Sequence, residues 1–309
     1  MKDERINKYL SFLYIMTIVY IIFFLLFLLL IIIIKKTDQK EGFIQSSSFI
    51  SKHEGDIYDN FYAQIYNIIY DPKINADFIT DIIIKDTLAN TKLSVILVVG
   101  CETGILANNL QVQGFDTYII DASKDMIDNA MLTFPNLKTK IGNIKNPMVY
   151  DKSTFSHILC TGFTIYHIQD KLSFFRNVYQ WLVLNGYFIL QLVDRDNFNT
   201  IAPAGRSQIL ASPQKYASER ITETSINFGN FHYKSKYDFN KMKETNVCTM
   251  TENFTDIKTN KVRQNKHTLY METIECILDL LRKCGFIIKG QFKLQSDKQQ
   301  YIYIIERPN

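Results

Sequence analysis

Val95-Ile-Leu-Val-Val-Gly-Cys-Glu-Thr-Gly104 is the stretch on which the fold turns. An uncharged, β-branched run of strand length stops at Gly100, a second glycine follows at Gly104, and Ile105-Leu-Ala-Asn-Asn-Leu110 continues behind it. This pattern predicts a buried parallel strand turning tightly into a helix. Such a turn brings backbone N–H groups and a helix N-terminus to the strand's carboxyl edge, where a doubly wound sheet binds its ligand. Two glycines after an apolar strand are equally compatible with a plain βα turn, so the flanking segments decide.

Downstream, Thr117-Tyr-Ile-Ile120 predicts a second strand ending on Asp121, a carboxylate placed to accept hydrogen bonds from a ribose diol. Ser123 caps a helix with Met126, Ile127 and Ala130 on its inner face. Lys138–Ile141 predicts a third strand, and Gly142-Asn143-Ile144 follows it with an amide for the edge of a base and an apolar side chain for its face. Phe155–Cys160 predicts a fourth strand opening into Thr161-Gly-Phe-Thr-Ile-Tyr-His167, and Tyr187–Val193 a fifth after a helix over Asp170–Leu182. Strands alternating with helices give a parallel sheet with right-handed crossovers. Residues 198–267 alternate with period two, as in an antiparallel insertion with one solvated face. A helix over Thr273–Lys283 and a hairpin of Phe286–Leu294 with Gln300–Glu306 complete the sheet edge.

Upstream, Asp56–Tyr70 predicts a helix ended by Pro72, with Tyr58, Tyr62 and Tyr66 on one face. That face is either a packing stripe or a cover on the ligand mouth, with a tyrosine hydroxyl reaching in. No charged residue occurs from Leu10 to Ile34, long enough at 1.5 Å per residue to cross about 30 Å of hydrocarbon. The expected organisation is a tail over 1–9, a transmembrane helix over 10–34, a polar linker over 35–54 and an α/β domain over 55–309. Basic residues flank the span on both sides, so charge does not orient it. Five cysteines without a CxxC pair argue for reduced thiols and against a metal site. A net charge of +4 does not by itself indicate a nucleic-acid protein. Basic residues interleaved with Phe228, Phe231, Tyr233 and Tyr237 in the insertion leave a nucleic-acid or anionic-lipid face open.

Over residues 55–309 the chain resembles the class I S-adenosylmethionine-dependent methyltransferases. Val98-Val-Gly-Cys-Glu-Thr-Gly104 stands for the family's Asp-x-Gly-Cys-Gly-Thr-Gly, and Gly114, Asp121, Ser123, Met126 and Ala130 match its second motif in register. Gly142-Asn143 stands for Gly-Asp, and Trp181–Phe188 resembles the approach to the family's fifth strand. The resemblance implies a doubly wound, mostly parallel seven-stranded Rossmann-like sheet with a small antiparallel insertion after strand 5. It implies S-adenosylmethionine as cofactor, held by Tyr62, Gly100, Cys101, Gly104, Asp121, Ala122, Met126, Asn143, Ile144 and Thr161. Two positions depart from the pattern. Val98 replaces a carboxylate that orders the loop and the cofactor's amino end, and Glu102 replaces a glycine, so its side chain must point away from the cofactor or crowd it. On that basis Glu102→Gly is expected to tighten cofactor binding, and Asp121→Ala to abolish it with the fold intact.

Methyl transfer from a sulfonium requires alignment and exclusion of water, and a base only for a protonated acceptor. Tyr166 and His167, past the fourth strand, are the candidates for acceptor positioning or proton removal, with Asp194 behind them. Cys160 lacks the Pro-Cys setting of cytosine-C5 enzymes, and Thr161-Gly-Phe-Thr164 is not the Asn/Asp-Pro-Pro-Tyr signature of exocyclic-amine enzymes. The expected acceptor is a small molecule or a protein. A silent cofactor-binding scaffold and an RNA methyltransferase are the alternatives. Because S-adenosylmethionine is made in the cytosol, a membrane-anchored domain is expected to face that side.

Overall fold

The computed structural model describes residues 13–29, 45–206, 214 and 217–309. The chain divides into two compact units, Met1–Ile44 and Gln45–Asn309. In the first, residues 13–29 form helix α1, whose apolar side chains are exposed. Among the described residues no helix is long and apolar enough to cross a membrane. The ends of the expected span, 10–12 and 30–34, lie outside the described residues, as do the tail over 1–9 and linker residues 35–44.

The second unit carries two sheets. Strands β2 (Val95–Val99), β3 (Asp116–Asp121), β4 (Lys138–Ile141), β5 (Phe155–Cys160), β6 (Leu182–Val193), β11 (Ile287–Lys293) and β12 (Gln300–Glu306) form a seven-stranded sheet in the order β11-β12-β6-β5-β2-β3-β4. β6, β5, β2, β3 and β4 pair in parallel, whereas β12 is antiparallel to both neighbours. The centre of β2 is fully buried because helices cover both faces, which is why it reads as an unbroken apolar run. Helix α4 (Ile105–Val112) follows β2, α5 (Lys124–Thr133) follows β3, α6 (Lys171–Trp181) follows β5, and α8 (Ile274–Lys283) precedes the final hairpin. At the carboxyl ends, Gly100 N donates to Ile120 O and Gly142 N to Asp121 O, both at 2.9 Å, so the tips of β2, β3 and β4 are held side by side.

The insertion is a five-stranded sheet in the order β1-β10-β9-β8-β7, from β7 (Glu223–Asn227), β8 (Phe231–Asp238), β9 (Val247–Asp256), β10 (Val262–Tyr270) and β1 (Phe49–His53), with the one-turn helix α7 (Met242–Thr245) between β8 and β9. β1 corrects the expected linker: its last residues pair in parallel with β10, Phe49 opposite Val262. Along β8 the aromatic and basic residues separate by face. Phe231, Tyr233 and Tyr237 are buried, while Lys234 and Lys236 are exposed and both pair with Glu223. The strand period thus turns these three rings inward, away from the exposed lysines, and leaves only the half-buried Phe228 of the four aromatics beside them.

Helix α2 (Asn60–Tyr70) packs on the inner face of this sheet, and α3 (Lys73–Asp86) follows it. The predicted helix start is corrected by Asp59, which caps α2 by accepting from Tyr62 N at 3.2 Å. Tyr58 therefore sits before the helix. Arg263 of β10 binds both Asp59 oxygens, at 2.9 and 2.8 Å, and donates to Ile57 O at 3.0 Å, fixing that entry to the insertion.

Candidate active site

The turn after β2 is built on left-handed backbone. Gly100 has φ +77° and Gly104 φ +82°, and a Cβ on Gly100 would lie 2.7 Å from Thr164 Oγ1. Glu102 holds φ +46° between them, a conformation that costs a non-glycine residue roughly 1–2 kcal/mol. The Asp121 carboxylate meets this loop directly: Oδ2 accepts from Cys101 N and Oδ1 from Ser123 N, each at 2.8 Å. Carboxylate and loop thus share one crevice, and each oxygen keeps a lone pair for a further donor.

Beside the loop opens a cavity of about 830 Å³ between the tips of the parallel sheet, α2 and the inner face of the insertion. Its walls include Tyr58, Tyr62, Tyr66, Glu102, His167 and His267. Glu102 extends across the β5 tip, where a Cβ on Gly162 would collide with its Oε1. Among the described residues its carboxylate has no hydrogen bond or ion pair, and burial pushes its pKa up to about 7.

On the insertion side a second carboxylate is fully satisfied. Glu252 Oε1 accepts from Tyr70 Oη at 2.7 Å and Tyr233 Oη at 3.0 Å, and Oε2 meets His267 Nε2 at 2.8 Å and Asn265 Nδ2 at 3.3 Å. Burial alone would raise the Glu252 pKa, but the bond and charge of His267 and the Tyr70 hydroxyl outweigh it and hold the group below its usual range. An ionised carboxylate only accepts, so His267 donates to it through Nε2, which leaves Nδ1 as the ring nitrogen not bound to Glu252. Nearby, Tyr58 Oη lies 3.1 Å from His167 Nε2. Burial, with His267 beside it, pushes His167 down to about 3, so its ring is neutral and a weak base.

The methyltransferase domain family matches residues 74–238. The chain belongs to this family. Solved S-adenosylmethionine-dependent methyltransferases share its fold. One from Clostridium acetobutylicum superposes with a TM-score of 0.60 at 19% identity, covering 81% of this chain and 99% of that one. A glycopeptide N-methyltransferase in complex with sinefungin gives 0.52 at 13% identity, covering 85% and 94%. A ubiquinone biosynthesis O-methyltransferase of Rickettsia typhi is 32% identical over 107 residues, 32% of this chain and 41% of that protein. The chain thus spans about two-fifths of the curated relatives it matches. The family match ends at Asp238, the last residue of β8, so Glu252 and His267 lie outside it.

Of the ten expected cofactor residues, six stand at the cavity or the crevice and four do not. Tyr62 and Thr161 line the cavity, while Gly100, Cys101, Gly104 and Asp121 form the crevice around the loop. Ala122 is exposed beside Asp121, and Asn143 is exposed at the neighbouring tip with its Oδ1 accepting from Lys145 N at 2.9 Å. Ile144 is half-buried against the core, and Met126 is buried in it. S-adenosylmethionine fits this arrangement, since Asp121 offers acceptors for two hydroxyls and Glu102 is a cavity-wall carboxylate without a partner among the described residues.

The acceptor-side expectations change. Tyr166 is fully buried outside the cavity wall, and its hydroxyl accepts from Val193 N at 2.8 Å, which makes it a brace for β6. His167 does line the cavity, yet its lowered pKa unsuits it for proton removal. Asp194 accepts from Asp196 N and Asn197 Nδ2 in a turn after β6. Sequence reasoning missed Glu252 and His267. The only signal was their inward register on paired strands, where the period-two pattern gave polar residues in place of apolar ones.

Proposed function

We propose that this protein transfers a methyl group from S-adenosylmethionine to a hydroxyl-bearing small molecule held in the cavity between the parallel sheet and the insertion. The observation that carries the reading is the 2.8 Å bond from Cys101 N to Asp121 Oδ2, which joins glycine loop and carboxylate in one crevice beside that cavity. When bound, the cofactor supplies a methyl group on a sulfonium. Asp121 accepts from its ribose hydroxyls, and the wall of Tyr58, Tyr62 and Tyr66 excludes water from the acceptor. His267, oriented by the Glu252 positioning residue, accepts the acceptor's proton at Nδ1. Relatives named as O-methyltransferases support an oxygen nucleophile. A small acceptor is favoured over a protein because the wall is enclosed by rings on several sides.

The charge-free stretch from Leu10 to Ile34 supports anchoring at a bilayer, with the domain on the cytosolic side where the cofactor is made. Extraction of the full chain by alkaline carbonate without detergent, or a protease-protected domain, counts against that part. Transfer itself is tested by calorimetry with S-adenosylmethionine, then by label transfer from its methyl group to a panel of phenols. Absence of binding by folded protein overturns the enzyme reading. In an active preparation, His267→Gln should cut kcat about 100-fold with KM little changed, and an unaltered kcat removes His267 as the base.

A further inference from the structure

Glu102 bears two costs that nothing among the described residues offsets. Its backbone is left-handed where the family places glycine, and its carboxylate, partly exposed on the cavity wall, has no hydrogen-bond or ion-pair partner among the described residues. A side chain that served only packing would not need a charge there. The cation it lacks is not supplied by the wall either. Arg206 is the sole lysine or arginine among the described lining residues, and its Nε, Nη1 and Nη2 donate to the carbonyls of Ile201, Ser296 and Asn199. Both histidines of the wall are otherwise engaged, His167 with Tyr58 and His267 with Glu252.

Position narrows the ligand. The carboxylate lies between the loop after β2 and Gly162 at the β5 tip, on the cavity side of the crevice that holds Asp121. Tyr58 and Tyr66 stand beside it, and their rings favour a neighbouring cation. At the end of β2, where the resemblance expects a carboxylate, Val98 is buried in the apolar core and offers none.

We propose that Glu102 is the receptor for a ligand's primary ammonium group, namely the α-ammonium of the cofactor's amino-acid end, and so takes over from the loop the role that Val98 cannot fill. The inference rests on the cofactor reading above and goes beyond it in assigning this residue. It also reverses the expectation from sequence that Glu102 crowds the cofactor.

The test compares two ligands by calorimetry on the full chain. S-adenosylhomocysteine carries the ammonium, whereas 5′-methylthioadenosine shares the nucleoside and sulfur but lacks it. Glu102→Gln should weaken S-adenosylhomocysteine about 10- to 100-fold and leave methylthioadenosine unchanged, which also certifies the variant's fold. Equal weakening of both ligands means that Glu102 only shapes the loop, and overturns the assignment. Unchanged or tighter S-adenosylhomocysteine binding overturns it too, leaving the carboxylate to an amine acceptor or to crowding. A wild-type protein that binds neither ligand overturns the cofactor reading itself, and this one with it.

Discussion

Glu102 on the loop after β2 and Glu252 on β9 are both carboxylates shielded from bulk water, Glu102 in part and Glu252 fully, yet their pKa values move in opposite directions. Glu252 has four hydrogen-bond partners and stays below its usual range, whereas Glu102 has none among the described residues and rises to about 7. Glu252 is the more deeply buried of the two and still stays ionised, so the number of donors and not burial sets the charge. One carboxylate is a finished part of the fold. The other is complete only when a ligand arrives.

The comparison breaks first at Glu252. Its replacement by alanine strands Tyr70, Tyr233, Asn265 and His267 in the interior, and chemical denaturation should show a loss of about 3–5 kcal/mol. A loss below about 1 kcal/mol would mean that the network is ornamental. Asp121→Ala comes next. Loss of its ribose contacts should weaken S-adenosylhomocysteine by about 2–3 kcal/mol in calorimetry. Because Cys101 N and Ser123 N also lose their acceptor, a denaturation curve should show the variant about 1–2 kcal/mol less stable, so the fold does not escape unharmed as the sequence alone suggested.

The smallest effect sharpens the contrast through pH. Glu102 binds its proton more tightly folded than unfolded, so stability from this group is present below the ordinary glutamate value of 4.5 and is lost as pH rises through about 7. At about 1.4 kcal/mol per pH unit, discounted because the side chain is partly exposed, the loss is about 2 kcal/mol. His167 and His157 have lowered pKa values, to about 3 and about 4, and oppose this trend. The quantity to measure is therefore the difference in unfolding free energy between wild type and Glu102→Gln across that range. A flat difference shows that Glu102 is solvated after all.

The sequence by itself determined the parallel sheet, the position of the glycine loop, Asp121 at the second tip and the antiparallel insertion. Each rests on local periodicity or on spacing within a few tens of residues, which a chain carries wherever it folds. Only the tertiary structure decided that β1 joins the insertion, that Tyr166 is a brace, and that Glu252, His267 and Tyr58 converge from three segments. Those outcomes depend on contacts between residues as far apart as Tyr70 and Glu252, and no local pattern encodes which side chains a sheet and a helix bring face to face. For the same reason Glu102 read as an obstacle in the loop. Its lack of a partner is visible only once the walls around it are assembled.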